Sequence, residues 1–135
     1  LLKDLILSDG HKIGNHTYNH LNGWKVSSSE FINDVKLFEK ECSSLLFRPP
    51  YGKIKRSQIV KLKQHYRIIM WSVLSMDFSK NFSPEECKAL CLKRLHKGSI
   101  VVFHDSLKAE KNMLFALKGL LNYCADHGIK CSTIE

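Results

Sequence analysis

Ile100-Val101-Val102-Phe103 contains no polar position. A strand with one solvated face alternates apolar and polar residues. A strand without that alternation needs cover on both faces, as in a parallel sheet flanked by helices or closed into a barrel. The rest of the chain agrees with a βα architecture, because strand-like and helix-like patterns alternate. Residues 1–8 read as a helix stopped by Asp9-Gly10, and Ile13 to Thr17 as a short strand. Ser27 is an N-cap with Glu30 three residues on, and Phe31, Val35, Phe38 and Cys42 follow at helical spacing. Leu45 to Phe47 reads as a buried strand, Lys55 to Gln64 as a helix with Ile59 and Leu62 inward, and Arg67 to Val73 as a strand. Ser83, Pro84 and Glu86 open another helix, with Cys87, Leu90, Cys91 and Leu95 as its stripe and Gly98 at its end. After the IVVF strand comes a helix from about Glu110 to His127, with Leu114, Leu117, Leu121 and Cys124 inward. Ile129 to Ile134 reads as a last strand.

The 135 residues suffice for one domain, residues 1–135, with no linker, repeat or low-complexity tract. Residue 1 is Leu and the chain opens within a helical pattern, so it reads as a piece of a longer protein. A hydrophobic content of 44% with 25% charged residues fits a globular domain, and no apolar run is long enough to span a membrane. The net charge is +8, which raises nucleic acid as a partner. However, the densest basic cluster, Lys53, Lys55, Arg56, Lys61 and Lys63, has no interleaved aromatics, so it reads as solvated helix surface. The five cysteines include no C-x-x-C pair. Cys42, Cys87, Cys91 and Cys124 fall on apolar stripes and read as core residues rather than a disulfide framework.

In βα folds, chemistry gathers at the C-terminal ends of strands. Four strand ends here carry unusual polar residues: His16 and His20; Arg48-Pro49-Pro50-Tyr51-Gly52; Asp77; and His104-Asp105. Two imidazoles four residues apart suit a zinc-type metal ion, with loop histidines as the bland alternative. The RPPYG stretch is a stiff turn able to fix a backbone N–H, as an oxyanion hole requires, or a plain strand-to-helix turn. Asp77 and His104 can pair. A carboxylate on one imidazole nitrogen fixes the tautomer, which suits a general acid.

With these residues in this order, the chain resembles the polysaccharide deacetylases, carbohydrate esterase family 4, also called the NodB homology domain. The family's second motif, H-[ST]-x-x-H, is His16-Thr17-Tyr18-Asn19-His20, and its third, R-x-P-Y-G, is Arg48 to Gly52. The fourth is matched by Leu74 to Phe78, with Phe78 where the family has Trp and Leu74 where it has Asp. The fifth is matched by Val102-Phe103-His104, with Val for Leu. The first, T-F-D-D-G-P, is not among these residues, and no Asp-Asp pair occurs in them.

The resemblance implies a distorted (β/α) barrel lacking its first strand and helix. It implies metal-dependent hydrolytic N-deacetylation of an N-acetylglucosamine-containing polysaccharide, peptidoglycan or chitin-like, with release of acetate. His16 and His20 would bind a divalent ion, zinc first and cobalt or nickel as alternatives. An Asp of the missing motif would be the base, and Arg48 would orient it. The Tyr51 N–H would stabilise the oxyanion, and His104, tuned by Asp77, would protonate the leaving amine. Pro50, Trp71 and Tyr18 are the candidate substrate contacts. Without the Asp-Asp motif this chain by itself is expected to be inactive, and the alternative reading is a glycan-binding relative without catalysis. The expected state is a monomer. The family's envelope and extracellular setting and the unpaired cysteines point to different compartments.

Overall fold

The structure, a computed structural model, describes residues 2–134. The chain groups into two compact units, residues 2–70 with 133–134, and residues 71–132.

In the first unit, α1 (Leu2–Ser8) precedes the loop that carries His16 and His20. Leu1, included in the expected helix, lies outside the described residues. Ile13 to Thr17 is not a strand. A single parallel bridge joins Asn15 to Phe47, and Thr17 then turns to φ 61°, which ends the extended backbone. α2 (Ser28–Glu39) begins where the cap predicts, with the Ser27 hydroxyl accepting from the Glu30 N–H at 3.1 Å. Phe31 and Val35 are buried, but the helix ends before Cys42. β1 (Leu46–Phe47) and β2 (Arg67–Ile68) form a parallel pair. α3 (Arg56–Leu62) lies between them in sequence, and its Leu62 is buried. Phe31, Val35, Phe47, Leu62 and Tyr66 form the core, with the Phe31 and Phe47 rings edge to face, 6.1 Å between centroids.

The second unit holds another parallel pair, β3 (Val73–Leu74) with β4 (Val101–Val102). The stretch Arg67 to Val73, expected as one strand, is therefore two strands that belong to different sheets. Ile100 to Phe103 is half-buried rather than fully covered. α4 (Pro84–Arg94) has a complete capping box between Ser83 and Glu86, with Cys87 and Cys91 buried. It stops at Arg94, before Gly98. α5 (Glu110–Asp126) spans the expected range, but its buried face is Ala116, Leu120 and Cys124. Leu114 and Leu121 are exposed: the inward stripe is rotated by one residue, about 100° around the helix. The core here is Val73, Cys91, Leu120 and Cys124. Residues 129–134 form no strand. No helix of the described residues is long and apolar enough to cross a membrane.

Candidate active site

Two constellations emerge, one in each unit. In the first, the His16 Nδ1–H donates to the Arg48 carbonyl at 2.5 Å. A carbonyl only accepts, so the neutral ring carries its lone pair on Nε2, the tautomer a metal-binding imidazole needs. The His16 and His20 rings lie 5.0 Å apart, and His20 meets the Tyr51 ring at 4.8 Å, both edge to face. Arg48 donates through Nε to the Ile69 carbonyl at 3.2 Å, and burial lowers its guanidinium pKa from the usual value.

Tyr51 adopts φ 58° and ψ 7°, a left-handed conformation a bulky residue rarely takes. Pro49 and Pro50 are buried beneath it and fix the chain entering the turn. The Gly52 and Lys53 N–H groups are used inside the turn, each at 3.0 Å, on the Pro49 and Pro50 carbonyls. Among the described residues the Tyr51 N–H donates to no group.

Buried polar residues hold the histidine loop in place. Asn15 donates to the Val35 carbonyl at 2.9 Å and to the Tyr66 hydroxyl at 3.2 Å, and accepts from the Thr17 N–H at 2.9 Å. The Thr17 hydroxyl accepts from the Leu21 N–H at 3.1 Å. Asp34 accepts from the Asn19 backbone at 2.9 Å and side chain at 2.5 Å. Gln58, fully buried, ties this loop to the RPPYG loop. It donates to the Gly23 carbonyl at 2.9 Å and accepts from the Lys55 N–H at 2.8 Å. Gly23 is required: a Cβ there would sit 2.5 Å from the Lys53 carbonyl and 2.7 Å from Gln58 Oε1. Sequence reasoning missed Asn15, Asp34 and Gln58. Only Asn15, in the Gly14-Asn15-His16 approach, lay beside a recognised motif.

In the second unit, Asp77 is fully buried and accepts three hydrogen bonds: from His104 Nδ1 at 2.7 Å, from the His104 N–H at 2.7 Å and from the Phe78 N–H at 3.0 Å. Met76, one residue before it, has φ 61°. Asn112 donates to the carbonyls of Asp77 at 3.2 Å and Phe82 at 2.9 Å, closing the loop on α5. Phe78 packs edge to face on His104 at 4.7 Å. With Nδ1–H committed to the carboxylate, Nε2 is the proton-exchanging atom, and the side chain is 39% exposed. Trp71, the remaining sequence candidate, is half-buried at the start of this unit.

The polysaccharide deacetylase family model matches residues 3–67, the part that contains both histidines and RPPYG. Two peptidoglycan-N-acetylglucosamine deacetylases of Bacillus cereus are 33% identical over 108 residues and 32% identical over 138. These matches cover 75% and 96% of this chain, which spans 39% and 64% of those proteins. The crystal structure of a peptidoglycan N-acetylglucosamine deacetylase superposes with a TM-score of 0.87 at 28% identity, over 96% of this chain and 64% of that one. The chain belongs to the polysaccharide deacetylase family. Its α/β fold is that of these deacetylases, in part. A mutant of a CE4 family pseudoenzyme with restored enzymatic activity also superposes, with a TM-score of 0.79 at 26% identity, over 96% of this chain and 48% of that one.

The two imidazoles fit a borderline divalent metal in donor type, since His16 is held in the ligating tautomer. They are a pair only: among the described residues no third His, Cys, Asp or Glu completes a cluster.

Proposed function

We propose that this chain contributes the metal-binding, oxyanion-stabilising and acid groups of a metal-dependent N-deacetylase that acts on N-acetylglucosamine-containing glycan of the peptidoglycan type and releases acetate. The observation that carries this is the first constellation. The tautomer-fixed His16, the adjacent His20 and the left-handed Tyr51 lie on two clamped loops, in a chain whose relatives are named peptidoglycan deacetylases.

His16 and His20 would hold the ion, zinc first and cobalt or nickel as alternatives. A divalent ion supplies Lewis acidity to an amide carbonyl and to water. The Tyr51 N–H, which no turn contact uses, donates to the oxyanion that develops on the acetamide oxygen. Arg48 presents its charge from a half-buried position set by Ile69. His104 gives its Nε2 proton to the departing sugar nitrogen, and Asp77 accepts the Nδ1–H throughout, holding ring and tautomer. Pro50 stiffens the turn, and Trp71 offers a half-exposed ring to the sugar.

A second reading has specific support. No Asp-Asp pair occurs in the sequence, the histidine pair lacks a third ligand among the described residues, and one structural neighbour is a CE4 pseudoenzyme mutant. In that reading the chain binds glycan without hydrolysing it. Because this chain by itself is expected to be inactive, the assay uses it joined to a segment that supplies the Asp-Asp pair. Incubation with N-acetylated peptidoglycan fragments, followed by acetate quantification and glycan sedimentation, separates the two. Acetate release that a chelator abolishes supports the deacetylase. Glycan binding with no acetate under any metal supports the second reading.

A further inference from the structure

Trp24 is a large aromatic left 58% exposed, yet it is pinned. Its Nε1–H donates to the Ile54 carbonyl at 3.2 Å, and the preceding Gly23 is wedged against Lys53 and Gln58. The Lys53 ammonium sits 3.9 Å from the centre of the indole ring. A free lysine spreads its charge over many rotamers. Here the indole face localises it, as a cation–π contact does. Among the described residues no carboxylate pairs with Lys53. The nearby Lys55 is spent differently, donating to the Val26 carbonyl at 2.6 Å. The fixed, acid-free cation is two residues beyond Tyr51, and its indole support is four beyond His20. It is thus carried by the two loops that hold the candidate metal and oxyanion groups.

We propose that the Lys53–Trp24 pair is a specificity element that binds a carboxylate of the glycan, favouring an acidic N-acetylated polymer over a neutral one. An ammonium already ordered over a ring loses little further freedom when a carboxylate docks on it. The charge complements a chain of net charge +8. The inference rests on the reading of this site as glycan-directed, and it selects the peptidoglycan class over chitin. The carboxylate has two sources in that class, the lactyl group of the alternating sugar and the attached peptide.

The test is equilibrium binding of the full chain to three ligands: chitin oligomers, peptide-free peptidoglycan oligomers and peptide-bearing ones. The parent should bind at least one acidic ligand more tightly than chitin. Lys53→Met and Trp24→Leu should each weaken that ligand about two- to fivefold, the scale of one solvent-accessible ion pair, and leave chitin unchanged. Loss on the peptide-free oligomer identifies the lactyl carboxylate; loss confined to the peptide-bearing one identifies the peptide. The proposal is overturned if Lys53→Met leaves all three affinities unchanged, weakens chitin equally, or if the parent binds no glycan. Lys53→Met keeps a side chain of similar length over the indole and removes the charge from a half-buried position, so it decides the matter even where Trp24→Leu misfolds. Acetate is not read here, so selectivity for the acidic glycan stands or falls separately from the deacetylase reading, which the acetate assay decides.

Discussion

At the scale of the residue, four non-glycine positions among the described residues have positive φ: Thr17, His20, Tyr51 and Met76. All four fall within three of the four motif stretches, 16–20, 48–52 and 74–78. Such conformations cost about 1–3 kcal/mol each and persist only where surrounding contacts over-determine them. Asn15, Asp34, Gln58 and Asp77 are those contacts, and all four are buried. Gly23→Ala should therefore destabilise the chain by about 1–3 kcal/mol, because its Cβ would meet backbone and a buried amide. Urea unfolding at neutral pH measures this. Asp77→Ala strips three donors of their acceptor and should cost about 2–3 kcal/mol in the same assay. It should also abolish the Nδ1–H tautomer preference of His104, visible in the imidazole nitrogen shifts by NMR. The motif histidines and the RPPYG turn were legible in the sequence because their spacing is local. Their supports were not. Asn15 reaches Val35 and Tyr66, and Gln58 reaches Gly23, pairings that exist only after the chain folds.

At the scale of the element, what could be read was what local chemistry dictates. Ser27 and Ser83 start their helices as caps, and Glu110 to Asp126 is a helix as its pattern requires. The strands were harder. Ile13 to Thr17 has strand composition but yields one bridge, since Asn15 turns its side chain onto the Thr17 N–H. The apolar run after Arg67 does not reveal that its two ends pair with different partners. In α5, leucines occur on more than one face, so periodicity alone chose a stripe one residue out of register.

One inter-element contact makes a pH prediction. The Tyr66 hydroxyl donates to Glu39 at the end of α2 and accepts from Asn15. Burial first, then the Glu39 carboxylate, pushes its pKa up to about 12. The folded state thus keeps this proton at pH values where the unfolded chain, near 10, has lost it. The contribution is fully present below pH 10 and is lost as pH rises towards 12. Tyr66→Phe should lower stability at neutral pH but flatten its decline between pH 10 and 12, as thermal melts across that range would show. Because Asn15 also holds Thr17, the same titration should loosen the histidine loop.

At the scale of the whole molecule, membership in the polysaccharide deacetylase family and the α/β fold rest on several independent likenesses. The motif order read from the sequence pointed to the same family before any side chain was placed, because RPPYG and HTYNH are short, local and specific. The account stands on one claim above the rest, that the histidine loop is built to hold a divalent ion. The measurement that tests it most directly is a zinc titration of the chain by calorimetry, in the parent and in His16→Ala and His20→Ala. The account predicts one ion bound by the parent and affinity reduced by about ten- to a hundredfold or more in each variant. A parent that binds no zinc, or variants that bind it as the parent does, would contradict it.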